Sequence, residues 1–240
     1  MLRSVVVRVI PILLLAAGCA VSDATGDSGD AQPPVVDAEP EDLAPEESGK
    51  ADGWAFAAND IIDDYLFEDA GYMTVDEIQA FLEATPYGGR PSFLATHVVG
   101  QRTVAEAVSD AAWRYDISPL VLLVKLQVEM ALVGKQEAPS TRRVDFAMGC
   151  GCPDNRDCSE QWRGLDKQID CAAERFRSYL TGLDERGETI AEWKVGRAKR
   201  TLDPIRVTPR NRATAALYTY TPWVLQGRGG NWLFWNIYNK

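Results

Sequence analysis

Histidine is nearly absent from this sequence, because His97 is the single histidine in 240 residues. Hydrolytic zinc sites generally use two or three histidine ligands, and serine or cysteine triads need a histidine base. Carboxylates are therefore the main catalytic option left. Aromatic residues are missing before Trp54, and Lys and Arg number only 25 against 35 Asp and Glu, a net charge of -10. Since nucleic-acid phosphates are neutralised by Lys and Arg, we expect no nucleic-acid partner.

The first 18 residues have the pattern of an export signal. Arg3 and Arg8 supply positive charge, and residues 5–18 form an apolar run of 14 residues, short of the roughly 20 that span a bilayer as a helix. Its end, LAAGC, resembles a bacterial lipobox, which implies cleavage before Cys19 and a lipid anchor there. Because Ala20 is not an inner-membrane retention signal, the resemblance implies the outer membrane in a host with two membranes. The alternative is ordinary cleavage, with a free thiol at Cys19.

Residues 19–53 are predicted to form a disordered spacer. They hold ten acidic residues and one lysine, a net charge of -9, with four prolines and no aromatic residue. Such a segment buries too little apolar surface to offset the entropy of ordering. Residues 54–240 remain as one domain, which is long enough for one sizeable core.

The pattern of residues 54–240 predicts a mainly α (α+β) domain. Thr74 and Thr103 each begin a capping box, and Pro119 suits a first helical turn. Residues 120–133 are apolar on nearly every face, which is typical of a buried helix. A short β-hairpin is predicted at residues 189–195. Further helices are predicted over residues 162–180, 208–219 and 231–238.

Four cysteines follow Cys19 in the chain. An even count in an exported protein predicts two disulfides. A bridge across a single residue would be strained, so two connectivities stay open: Cys152–Cys158 with Cys150–Cys171, or the crossed pairs. A four-cysteine zinc site is the alternative, but its usual spacings are missing. We expect no metal and no cofactor.

Glu129 is the acidic residue of the least polar helix. One hypothesis is an ion pair with Lys125, one turn earlier, on an exposed stripe that includes Gln127. The other is a carboxyl kept protonated by an apolar pocket and available as a general acid. A glycosidic oxygen needs such a proton donor, because the leaving alkoxide is poor.

Four segments together resemble the lysozyme-like, soluble-lytic-transglycosylase domain, in a branch found in secreted bacterial surface proteins. Residues 115–129 (YDISPLVLLVKLQVE) resemble the helix that ends at the catalytic glutamate of that family. Residues 147–154 (AMGCGCPD) resemble its glycine-rich loop, and residues 213–222 (ATAALYTYTP) its third conserved block. Residues 231–235 (NWLFW) resemble the end of the surface-protein branch.

The resemblance implies a lysozyme-like fold that cleaves the β-1,4 link between N-acetylmuramic acid and N-acetylglucosamine in peptidoglycan. Glu129 would be the general acid and then the base, and a transglycosylase needs only that carboxylate. A hydrolase would need a second carboxylate, for which Asp145 and Asp154 are the nearest candidates. The resemblance also places four substrate-binding residues in the cleft: Met148, Gly149, Tyr218 and Tyr220.

Met130 stands where transglycosylases usually have serine after the glutamate. A catalytically inactive module that binds cell-wall glycan or an envelope protein is therefore the alternative function. The partners expected are glycan strands and, through Cys19, a membrane, and we expect a monomer. Residues 141–240 carry 17 basic and 12 acidic residues. That basic half either matches an anionic cell-wall polymer or is simply a solvated face.

Overall fold

The computed structural model describes residues 55–153 and 156–240, and helices dominate both stretches. The predicted signal, Cys19, the spacer, Trp54 and Asp154 lie outside the described residues. The helices are α1 (Asp64–Phe67), α2 (Val75–Glu83), α3 (Val104–Tyr115), α4 (Pro119–Met130), α5 (Thr141–Asp145), α6 (Leu165–Arg186), α7 (Arg212–Tyr220) and α8 (Gly230–Tyr238), with 3₁₀ turns at Phe93–Ala95 and Glu160–Trp162. Within the described stretches, no helix is long and apolar enough to cross a bilayer.

Both predicted capping boxes are confirmed. At the start of α2, Glu77 N–H donates to Thr74 Oγ1 at 3.3 Å, and the Glu77 carboxylate accepts from Thr74 N–H at 2.8 Å. At the start of α3, the same two bonds join Thr103 and Glu106 at 3.1 and 2.7 Å. Each box satisfies backbone donors that the first helical turn leaves without partners, so these starts depend on local sequence alone.

Helix α4 is the central buried element and packs against α3, α6 and α8. Pro119 occupies its first turn, and Val121, Leu122 and Leu126 are fully buried. Each such side chain stabilises the fold by about 1.5–3 kcal/mol. The helix ends at Met130, three residues before the predicted end, because Ala131 adopts a left-handed conformation at φ 54°.

The described residues form two small antiparallel hairpins, and neither lies at the predicted position, residues 189–195. Strands β1 (Val98–Val99) and β2 (Arg102–Thr103) form one, and β3 (Lys199–Arg200) and β4 (Arg206–Val207) form the other. The predicted hairpin at 189–195 is wrong, since this segment is a turn around a buried Trp193. Its backbone closes with Thr189 N–H donating to the Trp193 carbonyl at 3.0 Å.

The two predicted disulfides are confirmed, and the structure selects the uncrossed connectivity. Cys150 pairs with Cys171 on α6, and Cys152 pairs with Cys158 within one loop. All four thiols are thereby used, so the four-cysteine zinc alternative is excluded. The first bridge fastens the loop that begins at Met148 to α6.

Ion pairs connect the acidic first half of the domain to its basic second half. Arg212 at the start of α7 pairs with Glu68 and lies 3.4 Å from Asp64 and 2.9 Å from Asp184. Arg177 on α6 pairs with Glu68 at 3.1 Å. Part of the positive charge of the basic half is therefore neutralised inside the domain.

Removing each disulfide separately tests how much the two closed loops stabilise the fold. In the chain-entropy model, the double variant Cys150→Ala/Cys171→Ala loses about 3 kcal/mol of unfolding free energy and Cys152→Ala/Cys158→Ala about 2 kcal/mol. The difference arises because the sequence separations are 21 and 6 residues. Urea unfolding of both variants measures it. A larger loss from the short loop would contradict the expectation.

Candidate functional site

A buried ammonium lies at the centre of the candidate site. The side chain of Lys125, in the middle of α4, is 1% exposed. Its Nζ forms an ion pair with Glu129, donates to Thr221 Oγ1 at 2.9 Å and lies 4.3 Å from the ring centroid of Tyr220. Burying a cation is costly unless an anion and hydrogen-bond acceptors replace water. These three contacts supply that replacement and connect α4 to the end of α7.

Glu129 is held by this ammonium on one side and meets solvent on the other. It lies one turn after Lys125, near the end of α4, and its side chain is 28% exposed. Neither sequence hypothesis describes it fully. The pair is not on an exposed stripe, because Lys125 is buried and Gln127 is nearly so. The carboxyl is not enclosed by apolar groups, because its partner is a charged nitrogen. The carboxylate is therefore both fixed in position and accessible.

Tyr220 connects the carboxylate to the glycine-rich loop. Its ring stacks on Phe176 of α6 at 4.8 Å, and its hydroxyl donates to the Met148 carbonyl at 2.6 Å. Burial, and then the negative charge of Glu129, raise the pKa of Tyr220 well above its usual value. The phenol therefore stays neutral and remains a hydrogen-bond donor at ordinary pH.

Gln168 fastens the glycine-rich loop to α6. Its Oε1 accepts from the backbone N–H groups of Met148 and Cys150 at 3.1 and 3.0 Å, and its Nε2 donates to the Cys150 carbonyl at 2.9 Å. The Met148 side chain is buried, whereas Gly149 is exposed and has φ 69°. That left-handed conformation favours glycine. The loop thus presents its Gly149 backbone to solvent, while Met148 contributes a carbonyl inside.

Tyr218 lies in the core instead of the expected cleft. Its side chain is fully buried, its ring stacks on Trp193 at 5.0 Å, and its hydroxyl donates to the Ala58 carbonyl at 3.0 Å. Burial raises the pKa of Tyr218 as well. Because residues two apart on a helix point in roughly opposite directions, Tyr218 and Tyr220 serve different sides of α7. Of the two tyrosines, only Tyr220 contacts Lys125.

The candidate second carboxylates are not brought to Glu129 within the described residues. Asp145 pairs with Arg163 at 3.1 Å. It also lines a cavity of about 260 Å³ that includes His97 and Asp166 but not Glu129. Asp154 lies outside the described residues. Among the described residues, Asp145 is therefore not a second carboxylate for Glu129.

Sequence analysis proposed the ion pair of Lys125 with Glu129 but not the burial of Lys125, and it missed the structural roles of Thr221 and Gln168. The sequence does carry a signal for Lys125 and for Gln168. Lys125 interrupts a helix that is apolar nearly all round, and Gln168 shares the apolar face of α6 with Leu165 and Ile169. A polar residue on a buried face needs hydrogen-bond partners, although their identity depends on distant segments. Thr221 gives no comparable signal.

Comparison with protein-family models, with curated proteins and with solved structures finds no match to this chain.

The Lys125–Glu129 pair predicts an asymmetric response to substitution. Glu129→Gln leaves a buried ammonium without its anion and is expected to cost about 3 kcal/mol of unfolding free energy. Lys125→Met leaves a carboxylate that water can reach and should cost about 1 kcal/mol or less. The double variant should recover most of the larger loss, since an apolar side chain replaces the buried charge.

Urea unfolding of the two single variants and the double variant measures these differences. Glu137→Gln, at an exposed carboxylate, is the matched control and should stay within about 0.5 kcal/mol of the wild type. Equal losses from Glu129→Gln and Lys125→Met would contradict the proposed electrostatic asymmetry.

Proposed function

We propose that this protein cleaves the glycan strands of peptidoglycan at the β-1,4 link between N-acetylmuramic acid and N-acetylglucosamine. Glu129 is the general acid and then the base. The observation that supports the proposal is that three segments distant in sequence are linked around one accessible carboxylate, that of Glu129. Glu129 near the end of α4, Tyr220 near the end of α7 and the loop at Met148 and Gly149 are joined through the Lys125 ammonium and the bond from Tyr220 to Met148. They are three of the four segments on which the lysozyme-like resemblance rests.

A lytic transglycosylase fits this site better than a hydrolase, because one carboxylate serves both of its steps. Protonated Glu129 gives its proton to the glycosidic oxygen as the C1–O bond breaks. The carboxylate then takes the proton of the muramoyl 6-hydroxyl while that oxygen attacks C1 and closes a 1,6-anhydro ring. A hydrolase would need a second carboxylate to position water. Asp145, the described candidate, pairs with Arg163 and lines a cavity that does not include Glu129.

The ion pair sets a condition on this mechanism. In the pair Glu129 is a carboxylate, whereas the first step uses its protonated form. Glycan binding must therefore separate the carboxylate from Lys125, and Glu129 must take up a proton from solvent before the first step. Tyr220 and Thr221 already contact the ammonium and would continue to stabilise it during such a separation.

The same ion pair favours a second candidate function, a module that binds glycan without cleaving it. A carboxylate held by a buried ammonium is suited to accept hydrogen bonds from sugar hydroxyls. In that case, no proton transfer takes place.

Incubating the full chain with purified peptidoglycan and analysing the released muropeptides separates the two functions. We expect products with 1,6-anhydro ends, and Glu129→Gln should lower their rate of release by about 10²–10⁴-fold, the usual contribution of a general acid. Reducing ends would identify a hydrolase instead. Sedimentation with insoluble peptidoglycan and no soluble product would support the binding module.

The control must separate catalysis from stability, because Glu129→Gln is expected to destabilise the fold. The double variant Lys125→Met/Glu129→Gln should be as inactive as Glu129→Gln while recovering stability. Glu137→Gln should keep full activity. Release of product by the folded double variant at the wild-type rate would refute catalysis by Glu129.

A further inference from the structure

The hairpin formed by β3 and β4 carries an unusual combination of exposed aliphatic and basic side chains. Leu202 and Ile205, in the turn between the strands, are 62% and 44% exposed. Arg200 and Arg206 flank that turn and are exposed as well. We call these four side chains the hairpin surface. Ile190 and Val195, in the preceding turn segment, are also exposed, so apolar exposure concentrates in this part of the domain.

The two arginines are directly opposite each other. Arg200 and Arg206 are paired residues in the antiparallel register of β3 and β4, so their side chains leave the same face. Like charges in directly opposite positions destabilise a strand pair. Among the described residues, neither arginine has an ion-pair partner, and Arg200 donates to the Pro204 carbonyl at 3.0 Å. An anionic partner would relieve the repulsion that the isolated hairpin retains.

The acidic residue of the turn does not neutralise these charges. Asp203 points inward and accepts from the Thr201 hydroxyl at 2.7 Å and from the N–H groups of Val224 and Leu225 at 3.0 and 2.8 Å. These bonds fasten the turn to the segment after α7. Leu202 and Ile205 are thus held outward by a fixed backbone.

The hairpin of β1 and β2 is a natural comparison. It has the same strand lengths and an exposed aliphatic side chain, Val98. Its arginine, Arg102, pairs with Asp110 on α3. Of the two hairpins, therefore, only the β3–β4 hairpin combines exposed aliphatic side chains with arginines that have no ion-pair partner among the described residues.

We propose that the hairpin surface docks onto the interface of an anionic lipid bilayer. Leu202 and Ile205 enter the boundary between headgroups and acyl chains, and Arg200 and Arg206 contact lipid phosphates. A soluble anionic polymer would explain the arginines but would leave the two aliphatic side chains in water, whereas a bilayer accommodates both. The proposal is independent of glycan cleavage and of lipidation at Cys19.

Hydrogen exchange of the full chain on vesicles tests this docking locally. A lipid at Cys19, or the apolar run of residues 5–18 where it is not cleaved, would bring the chain to any bilayer, so the readout is exchange in the peptide that spans residues 199–207. On mixed phosphatidylcholine–phosphatidylglycerol vesicles, exchange there should slow by at least about fivefold relative to pure phosphatidylcholine vesicles. Soluble polyglutamate should give no such protection.

Two pairs of substitutions should each remove the protection: Arg200→Gln with Arg206→Gln, and Leu202→Ser with Ile205→Ser. Val98→Ser, on the other hairpin, is the matched control and should leave it unchanged. The arginine variant relieves a repulsion, so its melting temperature should not fall and unfolding does not explain its loss of protection. Equal protection on both vesicle types, or its survival in both variants, would overturn the proposal. Protection by polyglutamate as strong as by mixed vesicles would also overturn it, in favour of an anionic polymer.

Discussion

The need to satisfy one buried ammonium organises the candidate site. Lys125 lies in the middle of the most apolar helix, where water does not reach it. The fold must therefore supply an anion and acceptors, and it takes them from Glu129 on the same helix and from Tyr220 and Thr221 at the end of α7. This requirement fixes how α7 approaches α4. Tyr220, so placed, reaches the Met148 carbonyl and positions the glycine-rich loop.

The features predicted correctly from sequence depend on neighbours within one or two helical turns. Thr74 and Thr103 find their capping partners three residues along the chain, so no knowledge of the rest of the fold is needed. For the cysteines, strain across one residue excluded only a Cys150–Cys152 bridge, and the structure made the choice between the two connectivities that stayed open. The buried character of α4 followed from composition, since few polar side chains interrupt it.

The features that sequence analysis missed depend on contacts between distant segments. Tyr218 and Tyr220 look equivalent in sequence, but Tyr218 turns towards Trp193 and Ala58 while Tyr220 turns towards Lys125. The alternating pattern at 189–195 resembles a strand, yet the burial of Trp193 folds it into a turn. In the same way, the sequence could not show that Arg212 of the basic half is paired inside the domain with Asp64, Glu68 and Asp184.

The glycine-rich loop is fastened to α6 at Met148 and Cys150, ahead of the residues that follow Cys152. The amide of Gln168 holds the backbone at Met148 and Cys150, and the Cys150–Cys171 bridge fastens the same point to α6. The Cys152–Cys158 bridge then closes the residues that follow into a separate ring. Substitutions within that ring should therefore leave the helix that holds Glu129 in place, because the bonds of Gln168 and the Cys150–Cys171 bridge do not depend on them.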